Sequence, residues 1–312
     1  MNTNNSTFLS KTILSLGVLF RVAGFYLIAQ ATSSLLLLKL VNIPSDFMSH
    51  PEKLASIPHI QQNLSLAQGV GMFLGFILLP LLYWNNFRST TNSSPLIQHV
   101  PRQTWLIVAS MILLLLSMPM IEQLSLLNKG LTLPAAFEKL ETLLRATEKG
   151  AETLTQLLVK YHSLPSFLLV FVVVAIIPAI GEEIVFRGII QRELTEQWAN
   201  KHMAIWVGGF IFSFIHFQFF GFIPRMLLGV LFGYCYLWTN TLWVPIAMHF
   251  TNNALTLIVS AFFNDTILGS ATTEDSVFDS RFFILYLVVQ VLIIIGYYKF
   301  IQRKKTMEFV ED

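Results

Sequence analysis

The chain has 312 residues, of which 54% are hydrophobic and 12% charged, about half the ~25% charge of an average soluble domain. Twenty basic against eighteen acidic residues leave a net charge of +2, too balanced for the broad basic surface that nucleic-acid binding requires. The single cysteine, Cys235, excludes an internal disulfide and a cysteine-rich metal site, and reads as a small buried hydrophobe.

Eight apolar runs follow one another, at residues 17–40, 64–84, 104–121, 164–184, 203–220, 223–239, 242–262 and 281–300. They approach the ~20 residues that a helix needs to cross a bilayer, and they lack the two-residue alternation of strands. They predict an all-α, polytopic membrane helix bundle with about eight transmembrane helices rather than a barrel. The first run carries Arg21, follows Lys11 and meets no small-residue cleavage site, so it reads as a retained span. In the second, Gly71 and Gly75 lie four apart and would let a neighbouring helix approach closely; Gly229 and Gly233 repeat the spacing in the sixth.

Between the third and fourth runs, Leu133, Phe137, Leu140, Leu143 and Leu144 recur at helical spacing among Glu138, Lys139, Glu141 and Arg145. The pattern predicts an amphipathic helix on the membrane surface or capping the bundle, with a part in gating substrate as the second reading. Only a tight turn at Asn240 separates the sixth and seventh runs, which therefore pair as an antiparallel hairpin.

Arg303, Lys304 and Lys305 in the tail, Arg88 and Arg102 after the second run, and Arg187, Arg192 and Lys201 after the fourth mark the cytoplasmic side. Both termini are then cytoplasmic, and Asp265, Glu274, Asp275 and Asp279 face out. Residues 122–163 go against this pattern, lying outside with five Lys or Arg against five acidic residues, as long mixed-charge loops tolerate. The chain divides into 1–163, three spans and the amphipathic helix; 164–262, the part with the polar motifs; and 263–312, the last span and a basic cytoplasmic tail. Short loops suit an integral protein of a bacterial inner (plasma) membrane.

One span breaks the apolar rule. IIPAIGEEIVFRGII, residues 176–190, carries Glu182, Glu183 and Arg187, and a charge at a helix centre costs roughly 2.5–3.5 kcal/mol on insertion scales. Glu183 and Arg187, four apart with the acid first, lie on one helix face and make a supporting ion pair. Glu182 points about 100° away and needs partners from other helices or from water. Pro178 removes a backbone hydrogen bond and Gly181 a side chain, so the helix is expected to kink and open there. Seven histidines occur, and two, His216 in FSFIHF and His249 in HFTNN, lie within the apolar runs. Asn253 stands one turn after His249, so two neutral hydrogen-bonding groups project from one face. A lone histidine there would read as a satisfied core residue; three consecutive spans bringing polar groups to similar depth favour a site.

Glu, His, His and Asn suit acid–base work on water and stabilisation of an oxyanion, and Ser213, three residues from His216, has no matching acid to make it a nucleophile. The H-E-x-x-H zinc pattern is absent. Glu182, His216 and His249 with a water would also form a three-ligand zinc centre, and this metal-dependent alternative stays open.

GEEIVFRG, FSFIH and HFTNN stand in the order of the EExxxR, FxxxH and HxxxN motifs. In this the segment 164–262 resembles the CPBP (Abi) family of intramembrane endopeptidases, related to CAAX prenyl protease type 2. The resemblance implies a catalytic core of eight helices with a site open toward the cytoplasm and no cofactor. By motif position, Glu182 activates the water, His216 assists it, His249 with Asn253 holds the oxyanion, and Glu183 with Arg187 supports them. The family also includes bacteriocin-maturation and self-immunity proteins and scaffolds, so a catalytically silent scaffold is the alternative, with a proton-coupled transporter behind it. The implied partner is a peptide or membrane-protein substrate within the lipid bilayer.

Overall fold

Long apolar runs without strand alternation fold as helices because, in lipid, each backbone N–H and C=O must be satisfied within its own segment. The computed structural model describes residues 3–41, 56–88, 96–97, 104–159, 163–198, 200–263 and 280–311, and among these it is helical without strands. The helices are α1 (Thr3–Leu40), α2 (Ile60–Asn86), α3 (Thr104–Lys129), α4 (Glu138–Val159) and α5 (Leu164–Trp198). They continue with α6 (Lys201–Phe214), α7 (Phe222–Thr239), α8 (Trp243–Phe263) and α9 (Phe283–Glu311). Asp265, Glu274, Asp275, Asp279 and Arg102 lie outside the described residues.

Among the described residues six helices, α1, α2, α3, α5, α7 and α9, are long and apolar enough to cross a membrane. The sequence-predicted spans 203–220 and 242–262 are not among these six. With 14 residues, α6 is about 21 Å long, short of a ~30 Å hydrocarbon core. The 21 residues of α8 suffice in length, and it carries His249, Asn252 and Asn253 among its apolar residues. Exposed Phe20, Leu116, Ile284 and Leu292 give α1, α3 and α9 outward apolar faces, as expected of an integral membrane protein.

At the centre lies α5. It runs well beyond the predicted end at 184, and every residue from Ile184 to Gln191 is buried. One apolar cluster on it joins Val18, Val22 and Ala29 of α1, Phe76 of α2, Val185, Phe186 and Ile190 of α5, and Phe212 of α6. A second joins α3, α7, α8 and α9 through Leu113, Leu114, Phe232, Met248 and Tyr297; Cys235 is buried in it, as expected. The glycine spacings do pack helices. A Cβ on Gly75 would come within 2.5 Å of the Ala29 side chain and 2.6 Å of the Phe25 carbonyl, so α2 approaches α1 to a distance that only glycine permits. Asn240 closes the α7–α8 hairpin at a left-handed φ of 56°, with its N–H donating to the Tyr236 carbonyl at 2.8 Å.

Candidate active site

Pro178 shapes α5 just before the carboxylates. Lacking an N–H, it cannot serve the carbonyl of Val174 four residues back, and Val172–Ile176 widens into a π-helical turn. Asn253 of α8 serves that carbonyl instead, its Nδ2 donating to Val174 O at 3.1 Å. The Asn253 amide oxygen accepts from Asn252 Nδ2 at 3.2 Å. An amide nitrogen carries two hydrogens, so the bond to Val174 commits one of them.

The two glutamates sort as their geometry predicts, with one addition. Glu183 Oε1 accepts from Arg187 Nη1 at 2.8 Å, and both side chains are buried. The same oxygen lies 2.8 Å from His249 Nδ1, so Glu183 holds a histidine of α8 as well as its own-helix arginine. Arg187 is satisfied further by the Gly229 carbonyl of α7, at 2.6 Å from Nη2, and lies over the rings of Phe212 and Phe232. The supporting pair is thus a three-helix node. With Nδ1–H donated to Glu183, the Nε2 of His249 turns toward Glu182, whose Oε2 stands 4.0 Å away. That gap is one a single water spans by bonding to both.

His216 reaches the site from a turn rather than from a span. The short α6 ends at Phe214 because the chain must reverse before α7, where Pro224 sits in the first turn at no cost in hydrogen bonds. His216 Nδ1 lies 2.8 Å from the Phe212 carbonyl; as the donor it leaves Nε2 as an acceptor. Ser213 Oγ donates to Phe222 O at 2.8 Å and is held in the structural turn. Phe212 presents its ring edge-on to both histidines, with centroids 5.4 Å from His216 and 5.9 Å from His249.

Glu182 and His216 line one cavity of about 740 Å3. From there it extends past Tyr26 and Met72 to Leu37, Leu38 and Leu64, at the end of the bundle where α1 finishes and α2 begins. One wall is α4, through Ala151, Leu154, Thr155 and Leu158. The amphipathic helix therefore covers the cavity with its C-terminal half, while Phe137, Leu140 and Leu143 point outward. Among the described residues no three His, Cys, Asp or Glu side chains stand close enough to hold a metal ion.

Sequence reasoning passed over Arg225, although a lone arginine inside the apolar run 223–239 was a signal of the same kind as Glu182. Arg225 Nη2 donates to Gln218 Oε1 at 2.7 Å, and the guanidinium lies within electrostatic range of Glu148 and Glu182.

Residues 164–255 match the family model described as type II CAAX prenyl endopeptidase Rce1-like, the segment in which the three motifs were found. Among curated proteins, the uncharacterized protein YpbD of Bacillus subtilis (strain 168) is 32% identical over 81 residues, covering 25% of this chain and 38% of that protein. The match thus spans well under half of the relative's length. No solved structure matches the chain.

Proposed function

We propose that the protein is an intramembrane endopeptidase of a bacterial plasma membrane that hydrolyses a peptide bond with water activated by Glu182. One observation carries the reading: Glu182 and His216 line the same cavity while His249 Nε2 stands 4.0 Å from Glu182 Oε2. The match of residues 164–255 to an endopeptidase family agrees with it.

A water between these groups gives a proton to Glu182, and His216 Nε2 orients it by accepting its second hydrogen. The oxygen attacks the peptide carbonyl carbon, and the carbonyl electrons move to oxygen. His249, held through Nδ1 by Glu183, and the second amide hydrogen of Asn253 stabilise that oxyanion. Glu182 passes the proton to the departing nitrogen, the C–N bond breaks, and a carboxylic acid and an amine remain. The cavity lining mixes leucines with the neutral Gln30, Ser33, Ser34 and Gln68, which suits an extended, uncharged stretch of a membrane-associated protein.

The reading is tested by incubating the purified protein in micelles with internally quenched peptides of apolar sequence in heavy-oxygen water. The expected products are paired fragments in which the new carboxyl group carries one heavy oxygen and the amine fragment none. Intact peptides throughout, or fragments without the label, would sink the proposal and favour the scaffold.

A further inference from the structure

We propose that α4 sets the conformation of the turn bearing His216, with Glu148 as its positioning residue. The inference rests on the peptidase reading and concerns a helix outside the segment that matches the endopeptidase family.

Residues 215–221 lack the repeating bonds of a long helix. The turn is held internally by His216 N–H to Ser213 O at 3.3 Å and Phe217 N–H to Phe214 O at 3.1 Å. Phe217 adopts a left-handed φ of 53°, which costs a non-glycine residue roughly 1 kcal/mol or more and persists only where the surroundings enforce it. Much of that enforcement comes from α3 and α4. Glu148 Oε2 accepts the Phe220 N–H at 3.1 Å, and the Arg145 guanidinium covers the Phe220 ring at 4.1 Å. Asn128, at the end of α3, donates to Phe219 O at 3.1 Å and accepts from Ile223 N–H at 2.7 Å.

Arg145 and Glu148 are three residues apart and so share a face of α4, one turn from the residues that wall the cavity. A peptide seated in the cavity rests on the helix that fixes the His216 turn, and this couples seating to alignment. Glu148 is not among the cavity-lining residues, so its loss acts on the turn, and on the charge that faces Arg225, rather than on peptide binding. A passive surface helix would instead change only the amount of folded protein.

The test uses the full-length protein in micelles as wild type, Glu148→Ala and Glu148→Gln, with Leu143→Ser on the outward face of α4 as control. Three quantities are read per folded molecule: hydrogen exchange of the 215–223 peptide, the pH profile of His216 carbethoxylation by diethyl pyrocarbonate, and kcat and KM on the quenched peptides. Glu148→Ala is expected to speed exchange about 10-fold, as loss of a charge-assisted hydrogen bond allows, and to alter His216 reactivity. It should lower kcat by a similar factor with KM nearly unchanged. Glu148→Gln, whose amide oxygen still accepts but carries no charge, should restore a large part of all three, and Leu143→Ser should match wild type. Unchanged exchange and His216 reactivity in Glu148→Ala overturn the proposal, as does Glu148→Gln failing like alanine, or faster exchange with an unaltered kcat. If wild type cleaves nothing, the peptidase reading falls, and exchange and carbethoxylation still decide whether α4 sets the turn.

Discussion

At the residue scale, one oxygen of Glu183 serves both Arg187 and His249, and its other oxygen is buried without a hydrogen-bond partner. Removing that carboxylate strands a buried arginine, so Glu183→Ala should destabilise the protein by about 3–5 kcal/mol, read as a lowered thermal midpoint in micelles; an unchanged midpoint contradicts the node. Asn253 offers a sharper case. Asn253→Ala leaves the Val174 carbonyl without its donor, a cost of about 1–3 kcal/mol. Because Pro178 created that need, Pro178→Ala should recover part of the loss; strictly additive effects would mean that the Asn253 bond has no structural share. The Glu183–Arg187 pair was legible in sequence because i,i+4 spacing fixes it within one helix. The sharing with His249 was not, since it depends on how α8 lies against α5, 66 residues away in the chain.

At the element scale, helix existence followed from apolar periodicity, whereas helix ends and irregular turns followed from packing. The end of α6 at Phe214 and the extension of α5 to Trp198 leave no strong local mark, because phenylalanine and isoleucine continue through one boundary and charged residues through the other. The α1–α2 contact was legible in the Gly71 and Gly75 spacing. Gly75→Val should overpack it and cost about 1–3 kcal/mol, seen as a lower midpoint; an unchanged midpoint would mean that the helices separate freely. The start of α4 responds to pH. Leu133 N–H donates to Glu141 Oε2 at 2.7 Å and Arg145 Nε to Oε1 at 2.9 Å. The backbone bond first, and Arg145 second, hold the Glu141 carboxyl below the usual carboxylate range. A lowered folded-state pKa stabilises fully above the unfolded value of ~4.3 and is lost as pH falls through the folded value. Exchange of the Leu133 amide should therefore quicken, beyond the intrinsic pH trend, only below about pH 4; protection retained at lower pH contradicts the bond.

At the scale of the whole molecule, the cavity runs from Glu182, midway along α5, toward the end of the bundle where α1 finishes and α4 lies. Two sequence expectations meet here, and they do not fit together. Cytoplasmic termini put that end of the bundle outside, while a site open to the cytoplasm puts it inside. The basic residues Arg192, Lys201, Arg303 and Lys304, near the opposite end of the spans, favour cytoplasmic termini. With cytoplasmic termini the cavity would open away from the cytoplasm. A membrane-impermeant maleimide should label Lys149→Cys in intact cells, with Cys235 too buried to compete; labelling only after permeabilisation would reverse the orientation. The charges in the loops could be counted from sequence, but which end of the bundle holds the cavity required α4 to be seated against α1, α2 and the His216 turn.

The central claim is that the glutamate without a partner on its own helix is the base. Its most direct test is the rate of peptide hydrolysis per folded molecule for Glu182→Gln against wild type, with thermal midpoint and membrane insertion measured alongside. The expected result is a loss of about 100- to 10,000-fold, the range for a general base, at an unchanged midpoint. Cleavage by Glu182→Gln at the wild-type rate would contradict it.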